Sequence, residues 1–551
     1  MPDYDVVLIH PPAVYDFRKR ALFPGALGVS VEQVQFTKPP IGMLSIAEYL
    51  DRHGYKVVLD NLGDRMVNNP DFNAEEHIRN LNARVYAVGM HFQQHSQGAV
   101  EIANICKHFH PNAIVLVGGL TATRFHEEVI REYPFIDAVI RAEAEKPFLE
   151  LMRSLDANGK LTDTPNLTYR AGGEVRVTPL MAASQDIDEF DPTRLDLMEP
   201  KTSVYPANAE PRWSLEVGRG CTFTCNICGG SAYSYRTYLG MSKPAMRSPG
   251  KIIEDIRSLN RQGITFIGLY QDPRMGGEAY WRELMAKLRD ERLEIGRLSL
   301  DLLSPADEDF IKAVAATRRP VVFHICPDTG SDAVRKAMGR HYTNDELLAT
   351  IELAHSYGIP VTTFFSAGLA GETRESLEET KELWKKLIAL DEKSMMNGSL
   401  GNVSKDIPLG GPIMGPIVLD PGSLAFDNPE QHGYKVRYKS LKHYIAALSK
   451  PSWHQWMNYE TDQLSIEQLV YAILDMNDFV IDQREKYKMY DLETAYVERV
   501  KVETDRAAIQ AVEMLEELPD APEKEARLKV VRNKIDELLD NPPPPLSQFE
   551  E

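Results

Sequence analysis

Three of the five cysteines in this chain of 551 residues lie close together, at Cys221, Cys225 and Cys228. They stand in the segment GRGCTFTCNICGGS, residues 218–231, with the spacing C-x3-C-x2-C. A structural zinc site usually takes four protein ligands from two paired units, and no second Cys or His pair follows nearby. Three thiolates on a four-iron cluster would instead leave one iron open to an external ligand. The triplet therefore favours an iron–sulfur cluster over zinc or a group of reduced structural thiols.

The cysteine segment follows a predicted strand that opens a series of alternating strands and helices. The β-rich runs of this series lie at residues 213–220, 264–273, 297–304, 319–328 and 359–372. Segments such as 249–263 and 344–358 have the pattern of helices and lie between these runs. This alternation predicts a partial (β/α)6 barrel over residues 211–395, with its chemistry at the C-terminal ends of the strands.

The beginning of the chain shows an earlier alternation of the same kind. Its β-rich runs lie at residues 5–12, 56–62, 85–90, 113–119 and 137–145. The segments 42–54, 98–110 and 126–133 between them predict helices. Residues 1–152 are therefore expected to form a doubly wound, Rossmann-like parallel sheet, whose ligand normally lies at the carboxyl ends of the strands.

Two further regions complete the predicted α/β organisation. Residues 153–210 are rich in Pro, Asp, Thr and Gly and are expected to be a linker with a small hairpin at 166–179. After residue 395 the texture changes to loops rich in Gly and Pro and then to long charged helical stretches. We therefore expect residues 396–551 to form a mainly helical C-terminal domain that covers the active site.

Composition and charge exclude several classes of protein. The chain has 81 acidic and 62 basic residues and a formal net charge of -19, which disfavours binding to a nucleic-acid backbone. Its longest apolar runs are far shorter than the ~20 residues of a membrane span. The N-terminus lacks the basic region and apolar core of a signal peptide. We therefore expect a cytoplasmic protein without nucleic-acid or membrane partners, whose few cysteines serve metal binding or catalysis.

The cysteine spacing, preceded by Arg219 and Gly220, resembles the signature of the radical S-adenosylmethionine (SAM) superfamily. Ile227 stands where that signature often has an aromatic residue. The similarity extends from about residue 213 to 390 and includes the segments 247–256 and 332–373. It implies a [4Fe-4S] cluster on the three cysteines, whose open iron binds SAM. An external electron donor such as ferredoxin or flavodoxin would then allow cleavage of SAM to a 5′-deoxyadenosyl radical.

The same resemblance implies roles for residues near the ends of the barrel strands. The residues expected to bind SAM are Gly229, Gly230, Asp272, Asp301, Asp328, Gly368 and Gly371, with Glu372 in the same stretch. An Asp at the end of a strand is also commonly a helix cap, which is the ordinary alternative for the three aspartates. The residues expected to line the active site or contact substrate are Tyr233, Tyr235, Tyr238 and Cys326.

The N-terminal sheet carries a second resemblance. Segments 39–55, 117–123 and 138–152 are similar to the cobalamin-binding domains attached to many radical SAM enzymes. The residues that this similarity assigns to cobalamin are Gly118, Gly119, Thr121, Thr123 and Glu143, and those expected at the lower corrin face are His91, Gln93 and His95. No Asp-x-His-x-x-Gly segment is present, so the usual histidine ligand of cobalt is not expected. The plain alternative for the two glycines is a tight turn between a strand and a helix.

Together, the two resemblances imply a cobalamin-dependent radical SAM methyltransferase, with the corrin between the first sheet and the barrel mouth. One SAM would methylate cob(I)alamin, and a second would generate the radical that activates an unactivated sp3 carbon. The substrate is a peptide, a protein or a small molecule. The pattern is similar to family members that methylate a glutamine Cα in methyl-coenzyme M reductase, which we take as the expected substrate. The alternatives are a cobalamin-dependent radical enzyme that cyclises or rearranges a metabolite, and a cobalamin- or metal-binding module without catalysis.

Overall fold

A computed structural model describes residues 2–23, 37–159, 161, 164–205, 210–400, 413–417, 419–516 and 522–541. Two large sheets organise these residues. The first has eight strands in the order β7-β6-β5-β4-β3-β1-β2-β8. Its strands are β1 (Tyr4–His10), β2 (Val57–Asn61), β3 (Ala83–Gly89), β4 (Ile114–Gly118), β5 (Ala138–Ile140), β6 (Leu167–Ala171), β7 (Glu174–Val177) and β8 (Met198–Glu199).

The first sheet is covered by helices on both faces. Neighbouring residues of its strands point in opposite directions, so each face contributes apolar side chains to a core. Val6 and Leu8 of β1 belong to one apolar core, and Val7 and Ile9 belong to another. The helices around this sheet are Ile41–Arg52, Leu62–Asn68, Ala74–Asn80, Ser96–Phe109, Leu120–Arg124, His126–Glu132 and Glu145–Asn158. The predicted doubly wound sheet is confirmed. Its strand order reverses between β1 and β3, which is where ligands bind in sheets of this type.

Residues 153–210 differ from the expected linker, because they supply strands to both edges of the first sheet. The expected hairpin is β6 and β7, which pair antiparallel with each other, and β6 also pairs antiparallel with β5. Its turn contains Gly172 and Gly173, both with positive φ. At the other edge, β8 pairs in parallel with β2. Short edge strands of this kind satisfy the backbone groups that the parallel strands would otherwise leave open.

The second sheet has six parallel strands in the order β16-β15-β14-β13-β12-β9. Neighbours follow one another along the chain, and this confirms the predicted partial (β/α)6 barrel. Its strands are β9 (Arg212–Glu216), β12 (Phe266–Tyr270), β13 (Arg297–Leu302), β14 (Val321–Asp328), β15 (Val361–Ala367) and β16 (Ile413–Pro416), and β10 (Gly218–Arg219) and β11 (Ala245–Met246) form a small antiparallel pair. The sixth strand, β16, comes from beyond residue 395. It was not predicted, because its four residues include Gly and Pro and give little strand signal.

The helices of the barrel lie between its strands, and those of the C-terminal region follow. The barrel helices are Ala232–Tyr238, Pro249–Arg261, Glu278–Asp290, Glu308–Ala316, Asp332–Met338, Asn344–Ser356 and Arg374–Met396. The C-terminal helices are Leu424–Asp427, Leu441–Leu448, Ile466–Lys486, Leu492–Glu516 and Pro522–Asp540, and the strands there are β17 (Tyr434–Val436) and β18 (Tyr459–Thr461). None of the described helices combines the length and apolar character that a membrane crossing needs.

The C-terminal region packs onto the first sheet as well as onto the barrel. Leu441, Tyr444 and Leu448 lie in the same apolar core as Val7 and Ile9 of β1. This packing brings residues that are far apart in sequence to the carboxyl edge of the first sheet.

Candidate active site

One cavity joins the carboxyl edge of the first sheet to the cysteine loop. It has a volume of about 450 Å³. The residues lining it include Gly89, Gly118 and Glu143 from the first sheet, and Cys228, Gly229 and Gly230 from the cysteine loop. Two sites that were predicted separately from the sequence therefore open onto the same space.

The cysteine loop has the chemistry of an iron–sulfur ligand set. Cys225 is buried, and the backbone N–H groups of Phe223 and Gly230 donate to the sulfurs of Cys221 and Cys228, each at 3.3 Å. Burial raises the pKa of Cys228 to about 12 and also raises the pKa of Cys221, so these thiols need bound iron to ionise. Among the described residues, no three His, Cys, Asp or Glu side chains converge as ligands of a single ion. The three cysteines of the loop would supply the thiolates of a cluster, each binding a different iron.

Asp420 contacts the first of the two glycines after the cysteines. The Gly229 N–H donates to Asp420 Oδ2 at 2.9 Å, and a Cβ on Gly229 would lie 3.0 Å from the Asp420 Cβ. Burial raises the pKa of Asp420 to about 6, against the effect of the Gly229 hydrogen bond. Asp420 lines the cavity, and it was missed by sequence reasoning because it follows the cysteines by almost two hundred residues. At Gly230, a Cβ would have only an ordinary 3.7 Å contact with the Cys228 sulfur.

The barrel interior carries a row of polar side chains on neighbouring strands. Asp301 on β13 pairs in register with His324 on β14, and Asp301 Oδ1 lies 3.8 Å from His324 Nδ1. Desolvation raises the pKa of Asp301 to about 6 and lowers that of His324. Tyr270, at the end of β12, is 51% exposed. His324 was not predicted from the sequence. The signal for it is the alternation along β14. His324, Cys326 and Asp328 are partly exposed and the residues between them are buried, so the three lie on the strand face that is open to the interior.

Two of the other predicted aspartates are engaged in ion pairs. Asp272 accepts from the backbone N–H of Arg274 at 2.9 Å and of Leu303 at 2.9 Å, and it forms a salt bridge with the Arg274 side chain. The capping alternative therefore describes Asp272. Asp328 Oδ2 lies 3.3 Å from Arg340 Nη2, and Arg340 also donates to the carbonyl of Cys326.

The turn after β15 is held by a buried carboxyl group. Glu372 Oε2 accepts from the N–H groups of Gly368 at 2.8 Å and Leu369 at 3.0 Å. A Cβ on Gly368 would lie 2.0 Å from the Tyr459 hydroxyl, so the C-terminal region requires glycine here. Gly371 has φ +83° and no atom near the position of a Cβ. Burial raises the pKa of Glu372 to about 7.

The protonation of Glu372 predicts a pH dependence of stability. Its ordinary pKa is 4.5, so between pH 4.5 and about 7 the folded carboxyl is protonated while the unfolded one is ionised. The folded state then binds more protons, and the free energy of unfolding falls as the pH rises, by at most ~1.4 kcal/mol per pH unit. In denaturant titrations across this range, Glu372→Gln should remove this part of the slope.

Glu375 offers a matched control on the helix that follows. Its side chain is exposed, and a hydrogen bond with Thr373 lowers its pKa. Glu375→Gln should therefore leave the fall in stability in place. Equal slopes for the wild type and Glu372→Gln would show that Glu372 is ionised in the folded protein.

The residues predicted to bind cobalamin divide into two groups. Those that line the cavity are His91, Gln93, Gly118, Gly119, Thr121 and Glu143. Thr123 and His95 are buried behind them. Thr123 Oγ1 accepts from the Ala142 N–H at 3.0 Å, and His95 packs edge-on against His10 with ring centroids 5.2 Å apart. These contacts show that Thr123 and His95 pack inside the first domain.

Gly119 is required by the approach of two loops. Its φ is +114°, and a Cβ would lie 2.7 Å from both the His91 Cα and the Met90 carbonyl oxygen. Thr121 braces the same contact, because its hydroxyl donates to the His91 carbonyl at 3.0 Å. The tight-turn alternative thus explains Gly119, while the loop it shapes still borders the cavity. Burial lowers the pKa of His91 to about 4, so its imidazole is neutral.

The three tyrosines after the cysteines do not act together. Tyr235 lines the cavity. Tyr233 and Tyr238 instead donate to Asp427 Oδ2, at 3.1 and 2.6 Å. Asp427 Oδ1 accepts from Arg124 Nη2 at 3.0 Å. Tyr233 and Tyr238 therefore link the barrel and the C-terminal region to the first domain, while Tyr235 borders the cavity.

Arg219 joins the two domains at the edge of the cavity. This buried guanidinium binds Glu145 Oε1 at 2.7 Å, Glu216 Oε2 at 2.9 Å and also Glu143. Burial alone would lower the pKa of Arg219, but the three carboxylates raise it well above its usual value. Desolvation raises the pKa of Glu143 to about 6. Glu143, predicted to bind cobalamin, therefore borders the cavity as part of an ion-pair cluster between the domains.

Comparisons with known proteins agree with both halves of this site. Residues 215–383 match the radical SAM superfamily, and residues 28–152 match the B12-binding domain. This pair of domains places the chain among the cobalamin-dependent radical SAM enzymes. The cofactors of this class are a [4Fe-4S] cluster, SAM and cobalamin.

Two curated relatives are named for different reactions, one as a methyltransferase and one as a cyclase. An uncharacterized methyltransferase of Pyrococcus horikoshii is 28% identical over 291 residues, which are 52% of this chain and 61% of that protein. The anaerobic magnesium-protoporphyrin IX monomethyl ester cyclase of Rubrivivax gelatinosus is 26% identical over 360 residues, or 63% of this chain and 61% of that protein. The chain thus spans about three fifths of the length of each.

Two solved structures share the fold over nearly the whole chain. The radical SAM methyltransferase TsrM of Kitasatospora setae, with cobalamin and a [4Fe-4S] cluster bound, has a TM-score of 0.61 and 14% identity and covers 97% of this chain and 99% of its own. The cobalamin-dependent radical enzyme OxsB, with aqua-cobalamin bound, has a TM-score of 0.59 and 13% identity, with coverages of 97% and 80%.

Proposed function

We propose that this protein is a cobalamin-dependent radical SAM methyltransferase that methylates an unactivated sp3 carbon. The observation that carries the proposal is that one cavity is bordered by both the cysteine loop and the carboxyl edge of the first sheet. A methyl carrier on one wall and a radical source on the other would meet one substrate in that space. Positioning reactants in this way is a large part of catalysis.

The described residues fit the cofactors of the class. Cys221, Cys225 and Cys228 would hold the cluster, and the cavity walls at His91, Gln93 and the loop after β4 would hold the corrin. When bound, the cluster supplies an electron for cleavage of SAM and the corrin supplies a transferable methyl group. An external donor such as ferredoxin or flavodoxin would deliver the electron.

The chain's own side chains hold the loops around the site in place and exclude water from it. Asp420 fixes the Gly229 N–H beside the cysteines, and Glu372 fixes the Gly368 turn at the end of β15. Arg219 and its three carboxylates close the seam between the domains. Exclusion of water from such a site would protect a reactive radical.

For the substrate we propose an amide-bearing group, such as a glutamine residue of a protein. Asp301 can accept an amide N–H, and a ring N–H of His324 can donate to an amide carbonyl. The two side chains face each other across β13 and β14, and the exposed Tyr270 ends the neighbouring strand β12. This pair of complementary groups supports an amide over a purely apolar substrate.

The curated cyclase supports a second candidate, a radical enzyme that forms a ring without transferring methyl. The similarity of the chain to that protein covers 63% of its residues. The two candidates differ in the mass of the product. Methyl transfer adds one methylene, whereas cyclisation by itself removes hydrogen.

The experiment uses anaerobic full-length protein with iron, sulfide, cobalamin, SAM and dithionite. With glutamine-containing peptides, we expect release of both 5′-deoxyadenosine and S-adenosylhomocysteine, and a peptide that is heavier by one methylene. The His324→Ala variant should keep basal SAM cleavage and lose most peptide methylation. Absence of both small products in wild-type protein with an intact cluster would contradict the proposed function.

A further inference from the structure

A short helical turn after β3 places one amide side chain against the cavity. Gln93, in the turn Gln93–His95, lines the cavity and is 1% exposed. Its Oε1 has a partner, but its Nε2 is buried and makes no hydrogen bond to any residue that the structure describes. A buried donor without a partner is costly, so its presence beside a ligand cavity points to a group that completes it.

The orientation of a second amide, Asn458, is settled by backbone groups. Asn458 is fully buried in the C-terminal region, and its Nδ2 donates to the Leu419 carbonyl at 2.8 Å. Its Oδ1 accepts from the Leu419 N–H at 3.2 Å. A carbonyl can only accept and a backbone N–H can only donate, so the two ends of the Asn458 amide cannot be exchanged.

Asn458 in turn orients Gln93. The second hydrogen of Asn458 Nδ2 is donated to Gln93 Oε1 at 2.9 Å. Because this partner can only donate, Gln93 must present its carbonyl oxygen to Asn458. Its NH2 group is then the end of the amide that lacks a partner among the described residues. The backbone of Leu419 thus fixes Asn458, and Asn458 fixes Gln93.

We infer that Asn458 is a positioning residue that makes Gln93 offer N–H donors, and not its carbonyl oxygen, to the lower corrin face. This inference rests on the proposed function, since it takes the corrin to be the occupant of the cavity. An amide oxygen can coordinate a metal, whereas an amide NH2 cannot. Gln93 therefore leaves cobalt without an oxygen ligand from this loop and provides hydrogen-bond donors close to it.

The orientation of Gln93 would affect reduction of the bound cobalt. An axial oxygen ligand stabilises Co(II) relative to the more electron-rich Co(I). N–H donors instead favour Co(I), which carries the additional electron. Turning the Gln93 amide over, or replacing its NH2 group by oxygen, should make the Co(II)/Co(I) couple more negative. The Asp420 loop next to Leu419 contacts the cysteine loop through Gly229, so Asn458 also braces the cluster side of the cavity.

The test compares full-length holoproteins carrying cobalamin. Asn458→Asp keeps the shape of the side chain but loses the donor to Gln93, and Gln93→Glu replaces the NH2 group directly. Asn477→Asp is the matched control, since Asn477 donates to the Ile473 carbonyl on its own helix and to no other described residue. The measurements are the electron paramagnetic resonance spectrum of bound cob(II)alamin and the Co(II)/Co(I) midpoint potential.

We expect the wild-type spectrum to lack splitting from an axial nitrogen. Both Asn458→Asp and Gln93→Glu should shift the midpoint potential to more negative values, and Asn477→Asp should leave it unchanged. Gln93→Glu carries the test if Asn458→Asp fails to fold. A nitrogen splitting that disappears in His91→Ala, or potentials unmoved by Gln93→Glu, would overturn the inference. Wild-type protein that does not retain cobalamin would instead contradict the proposed function.

Discussion

Cys225→Ala is expected to abolish both the iron–sulfur absorbance of the reconstituted protein and the cleavage of SAM. Cys225 is the buried member of the cysteine loop, and the two remaining thiols cannot anchor three irons of a cluster. The loss should therefore be complete for release of 5′-deoxyadenosine. It is measured by iron and sulfide content, by the spectrum of the reduced cluster and by chromatography of the SAM products.

Cys106→Ala supplies the control for the loss of a thiol. Cys106 is fully buried in the helix Ser96–Phe109, within the apolar core of the first sheet. Its replacement should leave iron content and SAM cleavage at the wild-type level. Cys326→Ala, in the barrel interior, should likewise keep the cluster spectrum. If Cys225→Ala retained the iron and the SAM products, the ligand assignment would be wrong.

Arg219→Met is expected to destabilise the folded protein by about 3–5 kcal/mol, the usual cost of leaving buried charges without their partner. Glu143, Glu145 and Glu216 all bind this guanidinium, and Glu216 retains only Arg247 when it is removed. The free energy of unfolding should be measured by denaturant titration at neutral pH. The deficit should shrink at mildly acidic pH, because desolvation already raises the pKa of Glu143 to about 6.

Arg153→Met is the matched control for the loss of an arginine charge. Arg153 pairs with Glu150 on the surface of the first domain, and its side chain is 55% exposed. Exposed pairs of this kind contribute ~0–1 kcal/mol, so the variant should be close to the wild type. Equal stabilities for Arg219→Met and Arg153→Met would show that the seam between the domains does not depend on this cluster.

Local patterns in the sequence predict the parts of this protein that depend on neighbours along the chain. Examples are the cysteine spacing, the alternation of strands and helices, and the hairpin whose turn contains Gly172 and Gly173. The doubly wound sheet and the partial barrel follow from such patterns, because each strand pairs mainly with strands close to it in sequence. The short strand β16 escaped prediction, since four residues with Gly and Pro resemble a loop.

Contacts between distant segments could not be predicted from one sequence. Asp420 meets Gly229 across 191 positions, and Asn458 meets Gln93 across 365. Tyr233 and Tyr238 follow the cysteines closely, yet Asp427 decides where their hydroxyl groups bind. His324 becomes visible as a site residue only when the register of β13 and β14 sets it opposite Asp301. Such pairings depend on how domains pack, which no local pattern records.

The shared apolar core of the C-terminal helices and the first sheet bears on how this protein can be divided. Leu441, Tyr444 and Leu448 cover apolar side chains of the B12-binding domain. A fragment ending at residue 152 would expose that layer to water and aggregate. Chimeras that exchange the corrin module between enzymes must therefore transfer the segment from residue 441 onward with it.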